Sequence, residues 1–309
     1  MTNFRFSPVV ISDEVTAALR EGRGVVALET TIIVQGLPAP INFDVARECE
    51  AAVRSSNATP ATIGVLDGRI VVGLTIAELE RLADPDLRAA KLSARDLGVA
   101  LATGTDGATT VAGTIAIAER AGIDVMATGG LGGVHRDARS TFDESADLMA
   151  LARTSVLVVA SGVKSILDIG ATLERLDTFG VPVVGYQTRQ FPGFYLRDSG
   201  FALDWSVASA EEAAHAFRYH RDFSTTGLLL ANPVGSHQEL NHGVHEAALS
   251  SALLKAQAEG VSGKAVTPAL LSEFARHTDG LSVQVNRDLV VSNASLAGEV
   301  AASLASLSG

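Results

Sequence analysis

The stretch SVLVVASGVKS, residues 155–165, decides the fold class. Its apolar part, Val156 to Ala160, runs without a polar break. That is the pattern of a strand covered on both faces, not of one facing water. Such strands belong to parallel sheets, whose neighbours are joined by crossover helices. The residues that follow, 165–178, carry a helical pattern.

The same rhythm extends outward in both directions. Toward the C-terminus come a strand VPVVGY at 181–186, a helix over 209–220, a strand over 226–231 and a long helix over 236–259. Toward the N-terminus lie a strand IDVMA at 123–127, a helix over 109–121 and a strand VVAL at 25–28. Asn42 is placed to cap a helix reaching about Ser55. ATIGVL, then Asp67-Gly68, then RIVVGL spells a hairpin. Thr75-Ile76-Ala77-Glu78 is a capping box. Thr267-Pro268 reads as a cap followed by proline at the first helical position, and the tail from Asn293 as helix. Strand–helix alternation predicts a single α/β domain over 1–309, with a largely parallel sheet and helices on both faces. No repeat, low-complexity block or long linker divides it.

The composition excludes several classes. At 47% hydrophobic residues the 309-residue chain is no disordered polymer. Lys+Arg 24 against Asp+Glu 35 leaves −11, which disfavours binding to a nucleic acid polymer. A single cysteine, Cys49, rules out an intrachain disulfide and a cysteine-rich zinc site. It shares the pattern Val45, Ala46, Cys49, Val53, a buried helix face. The start MTNFRFSPVVISDEV lacks the apolar core of a signal peptide, and no run of 18 apolar residues is present. The expectation is a soluble, cytoplasmic protein with no membrane partner.

Ligands of open α/β sheets collect at the C-terminal ends of strands. Three such ends here carry a carboxylate, a glycine loop and a lysine. Glu29-Thr30-Thr31 follows VVAL, and a carboxylate there is costly unless hydrogen-bonded or functional. Thr128-Gly129-Gly130-Leu131-Gly132-Gly133 follows IDVMA. It suits an anion nest and a tight turn equally well. Lys164 follows SVLVVA at the predicted start of a helix. The positive helix end and partial desolvation both favour a neutral amine, able to form a Schiff base. A packed stem with a solvated head is the other reading. Asp137, Asp143, Glu144 and Asp147 supply oxygen ligands that suit Mg²⁺ or Mn²⁺, although spacing alone favours a solvated acidic loop. Lys91 offers a charge for an anion. Asn286, after VQV near a predicted strand end, offers an amide for a base edge. His237, His242 and His245 fall on one predicted helix. No G-x-S-x-G elbow occurs.

Read in order, ALETT, PATIGVLDGRIVVGLT, LSARDL, GATTVA, ATGGLGGVHR, TFDESADL, ASGVKSILDIGATLE, GVPVVGYQT, FPGFY, ANP, GKAVTPALL and NASLAGEVA closely resemble the pseudouridine-5′-phosphate glycosidases. The resemblance runs from about residue 8 to the C-terminus. It implies a three-layer α/β/α fold, a homotrimer and a divalent cation, usually Mn²⁺. The implied reaction interconverts pseudouridine 5′-phosphate plus water with uracil and ribose 5-phosphate. It also implies Lys164 as nucleophile, Glu29 as proton donor and Asp143 as metal ligand. Lys91, Val111, Ser145, Ala146 and Asp147 become substrate contacts, with His135 and Asn286 in the same pocket. Thr30, Glu144, Gln190 and the stretch NPVGSHQEL depart from the usual family pattern. Two other readings stand beside this one: a Schiff-base aldolase acting on a sugar phosphate, and a non-catalytic sugar-phosphate-binding protein.

Overall fold

The computed structural model describes residues 8–261 and 266–307. Residues 1–7 and the 263–265 part of GKAVTPALL lie outside them. The strands are β1 Val9–Ile11, β2 Val25–Leu28, β3 Thr59–Leu66, β4 Arg69–Val72, β5 Ala90–Leu92, β6 Gly107–Thr109, β7 Val125–Ala127, β8 Leu157–Ala160, β9 Val183–Tyr186, β10 Trp205–Val207 and β11 Leu228–Ala231. They form one sheet in the order β1-β4-β3-β2-β7-β8-β11-β9-β10, with β6 joined to β3 and β5 to β6. Only the β3–β4 and β3–β6 pairs are antiparallel. Strands β2, β7, β8 and β11 are buried along their whole length, as their unbroken apolar runs require.

The helices are α1 Asp13–Arg20, α2 Ile41–Ser55, α3 Ile76–Ala83, α4 Leu97–Thr103, α5 Val111–Ala121, α6 Ala138–Thr141, α7 Ala146–Leu151, α8 Ile169–Thr178, α9 Ala210–Phe223, α10 His242–Ala258, α11 Val266–His277 and α12 Leu281–Ser306. Helix α12 crosses β2, β7 and β8 and packs on α2 and α9. Helix α5 lies on β2, β6 and β7 and packs on α7. Two helices that share β2 and β7 without packing on each other must occupy opposite faces, which gives the layered arrangement. The main apolar core runs through it from Val15 to Leu304, and a smaller cluster around Leu74, Leu79 and Leu82 packs beside α3. By length and composition α12 could cross a membrane. Instead it buries its apolar residues and two asparagines, Asn286 and Asn293, against the sheet.

Local rules written in the sequence hold in several places. The hairpin closes at Asp67-Gly68, both at positive φ, with Leu66 opposite Arg69. Thr75 and Glu78 make the reciprocal capping box. Cys49 is buried on α2, and burial pushes its thiol well above the usual range.

Other boundaries differ, each for a visible reason. Asn42 lies inside α2 and does not cap it. Its buried amide donates to the carbonyls of Ile33 and Ala83, tying three segments together. The segment after β8 runs through a turn to Asp168, which caps α8, so that helix begins at Ile169. Residues 107–109 pair as β6, so α5 starts at Val111 under a Thr110 cap. Asn241 caps α10, leaving His237 outside the helix that holds His242 and His245. Thr267 and Pro268 lie within α11, whose described part already starts at Val266. Asn286 follows no strand and sits within α12.

Candidate active site

The C-terminal ends of β2, β7 and β8 open onto one cavity of about 300 Å³. The ten residues that the family resemblance places in the site all line it: Glu29, Lys91, Val111, His135, Asp143, Ser145, Ala146, Asp147, Lys164 and Asn286, whereas Asp137, His237, His242 and His245 do not. Residues up to 257 positions apart in sequence, Glu29 and Asn286, thus meet because parallel strands bring their loops to one edge.

Glu29 follows β2 and is 8% exposed. Its Oε1 accepts a hydrogen bond from Thr128 Oγ1, just past β7. Burial raises its pKa above the ordinary carboxyl value. The charge of Lys164, the Thr128 hydrogen bond and the charge of Lys91 oppose that rise, while Asp147 adds to it. The group is a protonated acid over a wider pH range than a surface glutamate, as a proton donor requires. Lys164, Lys91 and Asp147 stand around it, close enough for their charges to act on it.

Lys164 is half-buried, in the turn between β8 and α8. It lies five residues before Ile169, so the helix-end argument for its amine does not apply. What holds it is the turn itself. Its amide donates to the Leu131 carbonyl at 3.2 Å and its carbonyl accepts from Leu167 at 2.9 Å. Arg136 adds bonds to the carbonyls of Ser165 and Ile166, at 3.1 and 3.2 Å.

The glycine loop proves to be a packing device. A Cβ on Gly132 would lie 2.3 Å from Ser145 Oγ, one on Gly133 2.3 Å from Thr172 Oγ1 and one on Gly130 2.5 Å from the Phe194 ring. The Gly132 amide is already used, donating to Asp147 Oδ2 at 2.9 Å. The other Asp147 oxygen accepts from the Ala112 amide of α5 at 3.0 Å. Asp147, 6% exposed, therefore staples the glycine loop to the start of α5. The tight-turn reading accounts for the loop, and the anion-nest reading loses the Gly132 amide.

The acidic segment does not converge on one ion. Asp147 is engaged as described, and Glu144 pairs with Arg175 at 2.5 Å. Asp143 sits beside His135, Nε2 to Oδ2 3.8 Å, after Phe142 in a left-handed conformation. Among the described residues no group of three or more His, Cys, Asp or Glu side chains could hold a metal. The Asp143 carboxylate alone fits a hard divalent ion that keeps most of its shell as water.

Several lining groups have no hydrogen-bond partner among the described residues. Asn286 Oδ1, Gln35 Oε1 and Thr31 Oγ1 are buried atoms without a hydrogen bond, and Asn286 is only 4% exposed. Gln35 lies in a π-helical turn, Ile32–Gly36, a form frequent at functional sites. Buried acceptors of this kind call for donors on a ligand. Sequence reasoning missed Thr31, Gln35, Thr128 and Arg136. Thr128 and Arg136 flank the glycine loop and were legible as neighbours of it. Nothing in the sequence marks Gln35.

A buried acid and a lysine facing one cavity at the strand ends define a single-domain α/β enzyme with a small-molecule cleft. The sequence profile of the family described as Indigoidine synthase A like protein matches residues 14–303. A pseudouridine-5′-phosphate glycosidase of Salinispora tropica is 57% identical over 290 residues, covering 93% of this chain and 89% of that protein. The chain belongs to the pseudouridine-5′-phosphate glycosidase family. A second such glycosidase, from Streptomyces griseus, is 52% identical and covers 96% of this chain and 92% of its own. Among solved structures, the prealnumycin C-glycosynthase AlnA in complex with ribulose 5-phosphate superposes with a TM-score of 0.89 at 42% identity, covering 97% of this chain and 98% of that one. An indigoidine synthase A-like protein of Thermotoga maritima gives 0.87 at 34%, covering 99% and 100%.

Proposed function

We propose that the protein cleaves the C–C glycosidic bond of pseudouridine 5′-phosphate, giving uracil and ribose 5-phosphate, through a covalent bond between Lys164 and the sugar. One observation carries this reading. A buried Glu29 and the Lys164 amine face the same cavity, close enough for the lysine charge to act on the acid. The kinship with named pseudouridine-5′-phosphate glycosidases supports it, as does a structural neighbour that binds ribulose 5-phosphate.

A C-glycoside has no leaving oxygen to protonate, so the paired carboxylates of ordinary glycosidases do not suffice. Glu29 gives a proton to the ring oxygen as the C1′–O4′ bond opens. The Lys164 amine bonds to C1′ and passes a proton to the Glu29 carboxylate. The nitrogen lone pair then expels uracil, Glu29 gives that proton to C5 as the C1′–C5 bond breaks, and nitrogen and C1′ remain joined as an iminium. Water adds at C1′ and releases ribose 5-phosphate and the free amine. Lys91 supplies positive charge for the phosphate. Asp143, backed by His135, would hold Mn²⁺ or a similar divalent cation, whose contribution when bound is to neutralise anionic charge in the cleft.

The orphaned acceptors distinguish this reading from a Schiff-base aldolase. Asn286 Oδ1 and Gln35 Oε1 suit the two ring N–H groups of a carbon-linked uracil, for which an aldolase has no use. Assembly as a cytoplasmic homotrimer completes the reading, supported by the family resemblance. The test is incubation with pseudouridine 5′-phosphate and Mn²⁺. Free uracil is expected, and uracil should inhibit. A folded protein that releases none, and that uracil does not inhibit, would favour the aldolase.

A further inference from the structure

We infer that Thr128 is a positioning residue for Glu29 and that Asn293 anchors it, so that one buried network sets the acid and the lysine loop relative to each other. The inference rests on the function proposed above. Thr128 Oγ1 donates to Glu29 Oε1. That oxygen is thereby occupied, and the transferable proton belongs on the other one, Oε2. Thr128 is wholly buried and is itself held from both sides. Its amide donates to the Val159 carbonyl of β8 at 3.0 Å. Its carbonyl accepts from Asn293 Nδ2 at 2.8 Å.

Asn293 projects from the middle of α12 and is fully buried. The same Nδ2 reaches the Gly129 carbonyl at 3.3 Å and Ser161 Oγ at 3.1 Å. Its Oδ1 accepts from Asn232 Nδ2, at the end of β11, at 2.9 Å. Ser161 opens the turn that carries Lys164. A single asparagine thus joins the loop supporting the acid to the loop carrying the amine, across the ends of β7, β8 and β11. Fully satisfied buried polar networks of this kind fix one geometry, because any displacement leaves a group unpaired.

Removing the hydroxyl has a second consequence. The Thr128 bond favours the ionised acid, against burial and Asp147 and alongside Lys164 and Lys91. Without it the acid holds its proton to higher pH. The test compares Thr128→Val, Thr128→Ala and Thr128→Ser with the wild type by uracil release from pseudouridine 5′-phosphate across pH, with circular dichroism for folding. Both hydroxyl-free variants should lose kcat by about 10- to 100-fold with KM little changed. Their high-pH limb should move upward, and Thr128→Ser should restore rate and profile. Wild-type kcat and profile in folded Thr128→Val, a serine variant as impaired as the valine one, or failure of both hydroxyl-free variants to fold would each overturn the positioning role. Absence of uracil release by the wild type itself would instead sink the functional reading, and this inference with it.

Discussion

At the scale of the residue, the site depends on a carboxyl whose pKa burial raises. Glu29 retains its proton in the folded state to higher pH than in the unfolded chain. Between those two values the folded state binds more protons, so stability falls as pH rises. Glu29→Gln removes that dependence. Its melting temperature should match the wild type at pH near or below the ordinary glutamate value and overtake it as pH rises toward 8. Parallel curves across that range would refute the assignment. Asp143 has a different task. Paired with His135, it is, among the described residues, the lining acid not committed to an amide, a hydroxyl or an arginine. Asp143→Ala should raise the Mn²⁺ concentration needed for half-maximal rate by about 10-fold or more. Near-normal rates of this variant in the absence of metal would contradict the metal role.

At the scale of the element, much was legible because the deciding forces are local. An Asp-Gly turn, a capping box and unbroken apolar runs each contain their own explanation. The β3–β4 hairpin, the α3 start and the central strands accordingly fall where the sequence puts them. The misreadings involve residues whose environment is distant in sequence. Asn42 looks like a cap until its amide is seen bonded to Ile33 and Ala83. The four glycines suit an anion nest and a tight turn equally, and Ser145, Thr172 and Phe194 packed against Gly132, Gly133 and Gly130 decide for the turn. Asn286 reads as following a strand because nothing local marks VQV as helix, and only the cavity shows why α12 buries an asparagine there. The glycine loop gives a sharp test. Gly132→Ala drives a methyl into Ser145 and Asp147 and should destabilise by roughly 1–3 kcal/mol in urea unfolding. Gly98→Ala, in open space on α4, should be neutral or stabilising by up to about 1 kcal/mol. Equal effects would mean that the close approach at Gly132 is not real.

At the scale of the whole molecule, the parallel sheet converts scattered sequence motifs into one cleft. Glu29, Thr128 and Lys164 belong to three loops that adjacency of β2, β7 and β8 forces together. Helix α12 closes the arrangement from one face, sending Asn286 into the cavity and Asn293 beneath it. The ten site residues were named from the chain because their motifs occur in a fixed order. Their convergence is the part that only the three-dimensional arrangement supplies. The proposed trimer is checked by sedimentation, which should give a particle of three 32.0 kDa chains. A monomer active at the same concentration would remove trimerisation from the account.

The most direct measurement is borohydride quenching during turnover of pseudouridine 5′-phosphate, followed by mass analysis of the peptides. The account predicts a ribose-phosphate adduct on the peptide containing Lys164, and neither adduct nor uracil release from folded Lys164→Ala. Unaltered peptides from a wild-type enzyme that is releasing uracil, or turnover by Lys164→Ala, would contradict it.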